Sequence, residues 1–189
     1  MQIALLIFLS IVVVVLIIAS YIFASFGLTG IWGAPYVGTP KRVAREMLKF
    51  IDFKPGQTIT DLGSGMGGIL IVAAQEFGAK RAIGYEIHPL LVWLTRFRAR
   101  LAKIDDRVEV RRANFFKADL EPTDVLGLYL LAETMDKLQL KLKEAYSPDT
   151  MIVSRGFTVP GVKPVKQTKT SLGSMYLYRV GDLGIEKKK

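Results

Sequence analysis

The sequence predicts an α/β domain, a sheet layered by helices, preceded by one transmembrane helix. Three observations predict it. An unbroken apolar run opens the chain. Short strand-like runs then alternate with segments whose apolar residues recur at helical spacing. Two further strand-like runs close the chain with no helix between them. At 189 residues the length suits one domain of ordinary size. The chain has no cysteine and one histidine, which excludes disulfides, cysteine zinc sites and multi-histidine metal sites.

The opening run, Ile3 to Phe26, contains no formal charge. As a helix it would extend roughly 36 Å, enough to cross a bilayer with some tilt. A cleaved signal peptide would want a basic residue ahead of a core of about 7–15 residues. Neither is present. Lys41, Arg42, Arg45, Lys49 and Lys54 all follow the run. The positive-inside rule therefore predicts a single-pass membrane protein with its remaining domain in the cytoplasm.

The stretch from Gly27 to Gly38 is rich in Gly, Pro and aromatic residues and reads as a linker or ordered loop. Thr39 can cap a helix with Pro40 at its first position. Val43, Met47, Leu48 and Ile51 give that helix one apolar face. Pro55-Gly56 turns into a strand at 57–60. A helix over Ile69–Phe77 stops near Gly78, and a strand over Arg81–Ile87 follows. Pro89 starts a helix through about Lys103, and Val108–Arg111 alternates as a short strand. Asp124–Leu131 is nearly all apolar, as a buried parallel strand should be. Thr134–Tyr146 is helical and Met151–Phe157 is a strand. Val165–Thr170 and Ser174–Val180 form a closing antiparallel pair across Leu172-Gly173.

Between the first strand and its helix lies Thr60-Asp61-Leu62-Gly63-Ser64-Gly65-Met66-Gly67-Gly68. Alternate glycines let the backbone turn tightly and approach a ligand. A strand-to-helix junction aims free N–H groups at it. Glu86 ends the next strand, where its carboxylate can accept hydrogen bonds from both ribose hydroxyls. The spacing is G-x-G-x-G, with Asp61 two places before the first glycine. A carboxylate there suits a ligand bearing an ammonium and a sulfonium, and suits a pyrophosphate poorly. The arrangement is similar to motif I of class I S-adenosylmethionine methyltransferases.

Further blocks carry a narrower resemblance. They are Gly33-Ala34-Pro35-Tyr36-Val37-Gly38-Thr39-Pro40, Gly84-Tyr85-Glu86-Ile87-His88-Pro89-Leu90-Leu91-Val92-Trp93, Tyr129-Leu130-Leu131, and Val153-Ser154-Arg155-Gly156-Phe157-Thr158-Val159-Pro160-Gly161. In that order the chain resembles membrane-anchored protein-lysine methyltransferases related to the mitochondrial ATP synthase c-subunit lysine methyltransferase and its prokaryotic relatives. Family members usually carry Asp and Arg where this chain has Met66 and Gly68. The resemblance implies a seven-stranded, mostly parallel Rossmann-like class I methyltransferase sheet with an antiparallel terminal hairpin. It implies an anchor at 1–27, a loop over the active site at 28–40, a methyltransferase domain at 41–183 and a basic tail at 184–189. It also implies S-adenosyl-L-methionine as cofactor and a lysine on a membrane-associated protein as acceptor. A lipid or small-molecule acceptor, or a non-catalytic domain, are the alternatives.

Roles follow from the same resemblance. Asp61 would hold the methionine ammonium, with Gly63, Ser64, Gly65 and Gly67 approaching the cofactor. Glu86 would hold the ribose, Ile87 would lie against the adenine or in the core, and Asn114 would stand near the adenine amino group. Tyr36 and Thr39 would cover the methionyl end or the lysine entrance, or serve as a packed ring and a helix cap. Glu133 would meet the substrate amine or be a solvated first-turn acid.

The net charge of +9 falls on the part after the apolar run. Arg96, Arg98, Arg100, Lys103, Arg107, Arg111 and Arg112 cluster after the second strand. Such a cluster reads as a solvated face, a headgroup-binding surface or a nucleic-acid surface. No aromatic single-strand platform accompanies it, which disfavours nucleic acid as a partner. The oligomeric state is open at this level.

Overall fold

The computed structural model describes residues 2–31 and 38–184. The chain divides into two compact units, Met1–Tyr36 and Val37–Lys189. In the first, helix α1 runs Gln2–Ile31. Among the described residues no helix is long and apolar enough to cross a membrane. The expected transmembrane anchor, the single-pass localisation and the cytoplasmic orientation argued from it are therefore not upheld.

The second unit contains α2 (Lys41–Phe50), β1 (Thr58–Leu62), α3 (Gly68–Glu76), β2 (Arg81–Glu86), α4 (Pro89–Leu101), β3 (Val108–Arg112), β4 (Val125–Leu128), α5 (Ala132–Ala145), β5 (Met151–Arg155), β6 (Lys166–Thr170) and β7 (Gly173–Arg179). The strands form one seven-stranded sheet in the order β3-β2-β1-β4-β5-β7-β6. Strands β1 to β5 are parallel, and β7 lies antiparallel between β5 and β6. This matches the sheet and terminal hairpin expected from the sequence. The strand order reverses between β1 and β4, which opens a crevice at the carboxyl ends of the strands.

Successive strand residues point to opposite faces, and the core divides accordingly. Ile59, Ala82, Val125 and Val153 pack with α2, α3 and α4. Ile83, Leu126, Leu128 and Ile152 pack with Met135, Leu138 and Leu142 of α5. Helix α3 is buried from Ile69 to Ala74, because α2 covers the face that the sheet does not. Two side chains set the β1–β4 register at the amino edge. Asp124 accepts the Thr58 N–H through Oδ2 at 2.7 Å, and the Thr123 hydroxyl donates to the Thr58 carbonyl at 3.0 Å.

Three of the differences from the expected element boundaries bear on the site. Strand β1 extends through Asp61 and Leu62. Strand β4 stops at Leu128 rather than Leu131, because the Leu131 carbonyl already accepts the Met135 N–H of α5 at 3.0 Å. The N-cap of α2 is Pro40, not Thr39, and no side chain caps it. The Val43 and Ala44 N–H groups reach the Pro40 carbonyl instead.

Much of the basic cluster is tied into the fold. Arg81 bridges Glu109 and Glu121 at 2.8 Å each, and Arg111 pairs with the same two acids. Arg96 donates to the Val110 carbonyl at 3.1 and 2.6 Å, covering a backbone acceptor on edge strand β3. The Glu109 side chain is 44% exposed, so its ion pairs contribute about 1 kcal/mol or less. Leu126 is fully buried. Leu126→Ala is therefore expected to cost about 2–5 kcal/mol, and Glu109→Ala about 1 kcal/mol or less, measured as denaturant midpoints. The reverse ranking would contradict this assignment of the core.

Candidate active site

The site is built where β1 and β2 end. After Leu62 the backbone turns through Gly63, Gly65 and Gly67, with φ of +82°, +54° and +68°. The Gly63 and Ser64 N–H groups donate to the Tyr85 carbonyl at 2.8 and 3.1 Å, and the Gly67 N–H donates to the Ser64 carbonyl at 2.8 Å. The turn is thus tied to β2 as well as to itself. Gly67 is the N-cap of α3 and no side chain caps the helix. Its first-turn N–H groups have no side-chain cap among the described residues.

Neighbouring elements dictate two of the glycines. A Cβ on Gly67 would stand 2.3 Å from Thr95 Cγ2, and one on Gly68 would stand 2.2 Å from the Thr39 carbonyl oxygen. Backbone cannot yield as a flexible side chain can, so residue 68 must be glycine here. Around Gly63 there is more room, with Leu130 Cδ2 at 3.5 Å as the nearest atom to such a Cβ.

Sequence reasoning missed two supports of this loop. Fully buried Thr95 donates from its hydroxyl to the Gly65 carbonyl at 3.0 Å. Arg98 donates to the Met66 carbonyl. The two stand three apart on α4 and so share a face. A threonine amid the apolar face of that helix was the available signal. Arg98 belongs to the loop and not to a solvated basic face.

Two carboxylates define the electrostatics. Glu86 is buried and accepts the Gly65 N–H at 2.8 Å through Oε2 and the His88 N–H at 2.9 Å through Oε1. Each oxygen keeps capacity for one more donor. Asp61 is buried beside it and, among the described residues, has no side-chain hydrogen bond and no cation. Burial, then the negative charge of Glu86, push its carboxyl up to about 8. Two acids and no protein cation fit a ligand that brings hydroxyls to Glu86 and a positive charge to Asp61. An ammonium-bearing nucleoside such as S-adenosylmethionine meets both requirements.

The remaining expected residues are distributed unevenly. Ile87 follows β2 directly and is 37% exposed, so it is not plain core. Asn114 closes the turn after β3, where its Oδ1 accepts the Phe116 N–H at 2.9 Å. Thr39 lies against the loop through its carbonyl. Glu133 is exposed in the first turn of α5 and forms no ion pair or hydrogen bond among the described residues. Tyr36 lies outside the described residues.

Comparison with known proteins agrees with this geometry. A protein-lysine N-methyltransferase from Saccharolobus islandicus is 34% identical over 78% of this chain and 94% of its own length. The mouse adenine nucleotide translocase lysine N-methyltransferase is 31% identical over 79% of this chain and 65% of its own. A crystal structure of an RNA methyltransferase from Salinibacter ruber in complex with S-adenosyl-L-homocysteine superposes with a TM-score of 0.75. It is 36% identical and covers 81% of this chain and 99% of that one. Residues 61–166, from Asp61 into β6, match the ANTKMT methyltransferase domain family. With that match and these relatives, the chain belongs to the ANTKMT methyltransferase domain family.

Proposed function

We propose that this S-adenosylmethionine-dependent methyltransferase acts on the ε-amino group of lysine in a protein. The observation that carries the cofactor reading is the buried Asp61–Glu86 pair, which lies at the glycine turn with no cation paired to it among the described residues. The acceptor reading is supported by relatives named for lysine N-methylation, one of them matched over nearly its full length.

When bound, S-adenosylmethionine supplies an electrophilic methyl group and leaves as a thioether. The chain's own groups bind and align it. Asp61 would take the ammonium and Glu86 the ribose hydroxyls, with Gly63, Ser64, Gly65 and Gly67 as the backbone cradle. Ile87 would lie against the adenine. Asn114 would face its amino group through the remaining lone pair of Oδ1. Tyr36, Thr39 and Glu133 are assigned to the acceptor side. The attacking amine must be neutral, and a free lysine has a pKa near 10.4. Desolvation in an apolar entrance lowers it, so alignment and water exclusion account for the chemistry without a dedicated base.

Asp61 couples binding to pH. In the free protein its pKa of about 8 lies above the value of about 3.9 in an unfolded chain. Between those values the native state keeps a proton that the unfolded state has lost. Stability of the free protein therefore falls as pH rises through this window. A bound ammonium favours the ionised carboxylate and expels the proton. Affinity for S-adenosylhomocysteine is expected to rise from pH 6 to 8, approaching tenfold per pH unit, and to lose that slope in Asp61→Asn. A wild-type affinity independent of pH would overturn this role of Asp61.

The acceptor is tested with methyl-labelled S-adenosylmethionine and cell extract, split into protein, RNA and lipid fractions. Label is expected in protein and, after acid hydrolysis, in methyl-lysine. Label confined to RNA or lipid would defeat the lysine reading.

A further inference from the structure

The carboxyl edge of the sheet carries a second ordered feature beside the glycine turn. Asp61 pairs with Gly127, and Leu128 pairs with Ser154. Counting on toward the carboxyl ends places Gly63 and Tyr129, one residue past β1 and β4, in line with Arg155 at the end of β5. Contacts agree with that count. Leu130, next to Tyr129, is the side chain nearest to Gly63. The Arg155 guanidinium lies over the Tyr129 ring at 4.6 Å from its centroid.

Tyr129 is held from several directions. Phe157 stacks near it, with centroids 6.3 Å apart. Gly156, at φ +77°, brings its backbone so close that a Cβ there would stand 3.3 Å from Tyr129 Cε2. The turn that presents these groups is fixed in turn. Ser154, fully buried, donates from its hydroxyl to the Phe157 carbonyl at 2.6 Å. The Gly156 N–H donates to the Ser174 carbonyl at 2.9 Å, and Arg155 Nη2 donates to the Leu172 carbonyl at 3.3 Å. Yet Tyr129 and Phe157 both remain half-buried, and the Tyr129 hydroxyl has no hydrogen bond among the described residues. A ring fixed this firmly beside the cofactor turn, and left partly open, has the form of a binding wall. A rigid aromatic loses little side-chain entropy on binding, and a lysine side chain offers a long aliphatic stem to lie along it.

We propose that Tyr129 is a specificity-determining residue for the methyl acceptor. Its ring is the wall along which the acceptor side chain reaches the cofactor, and Arg155 is a positioning residue that acts through it. This proposal rests on the methyltransferase reading above.

The test uses two ligands on the full chain: the aza analogue of S-adenosylmethionine, and the same analogue joined through a short alkyl linker to the ε-nitrogen of a blocked Gly-Lys-Gly peptide. In the wild type the joined probe is expected to bind at least about tenfold tighter than its parent. Tyr129→Leu should remove most of that gain while the parent binds as before. Tyr129→Phe should keep it, because the ring and not the hydroxyl forms the wall. Arg155→Met should lower the gain in part. Equal binding of both probes by the wild type would overturn the proposal, as would a full gain in Tyr129→Leu. Failure of the parent to bind the wild type would be distinguishable, because it defeats the cofactor reading first and this proposal with it.

Discussion

Two carboxylates, Asp61 and Glu86, are buried next to each other where β1 and β2 leave the sheet. Bringing like charges together away from water is unfavourable, and the surrounding structure answers it for one of them only. Glu86 receives two backbone N–H groups, one from the glycine turn and one from the start of α4. Among the described residues Asp61 receives none, and its proton affinity rises instead. The turn beside them takes up left-handed conformations at Gly63, Gly65 and Gly67. Around it stand Thr95 and Arg98 of α4 and the carbonyl of Thr39, each bonded to or pressed against a loop residue. The electrostatic deficit at Asp61 is thus built in, and a cationic ligand relieves it.

The same sheet edge sets two groups of residues apart. On the β1–β2 side are the acids and the glycine turn, and on the β4–β5 side are Tyr129, Arg155 and Phe157. The boundary between them is the place where strand order reverses, the usual position for ligands in open α/β sheets. Closing the sheet with the antiparallel β6–β7 pair gives β5 a neighbour on its other side. That pairing anchors Gly156 to Ser174 and so holds the turn beneath Tyr129.

Local chemistry made the fold and half of the site legible in the sequence. Alternating strands and helices, the glycine spacing, and Asp61 and Glu86 at strand ends each depend on residues near in the chain. Features that depend on distant packing were not legible. Residue 68 is confined to glycine because the Thr39 carbonyl, some thirty residues earlier, occupies the space of a side chain. Arg98 and Arg111 read as surface charge but are engaged by a loop carbonyl and by acids from β3 and the loop after it. Thr39 lost its capping role because Pro40 takes the cap position. The apolar amino-terminal run predicted a membrane span that is not upheld among the described residues.

The protonation of Asp61 can be read from its own carboxyl group. Isotope-edited infrared or carbon NMR of the aspartate carboxyls, with Asp61→Asn as the reference, would follow it from pH 5 to 9 with and without S-adenosylhomocysteine. Asp61 is expected to be protonated at pH 7 in the free protein, its carboxyl pushed up to about 8, and ionised once the ligand is bound. An Asp61 that is already ionised at pH 6 in the free protein, or that stays protonated in the complex, would contradict it.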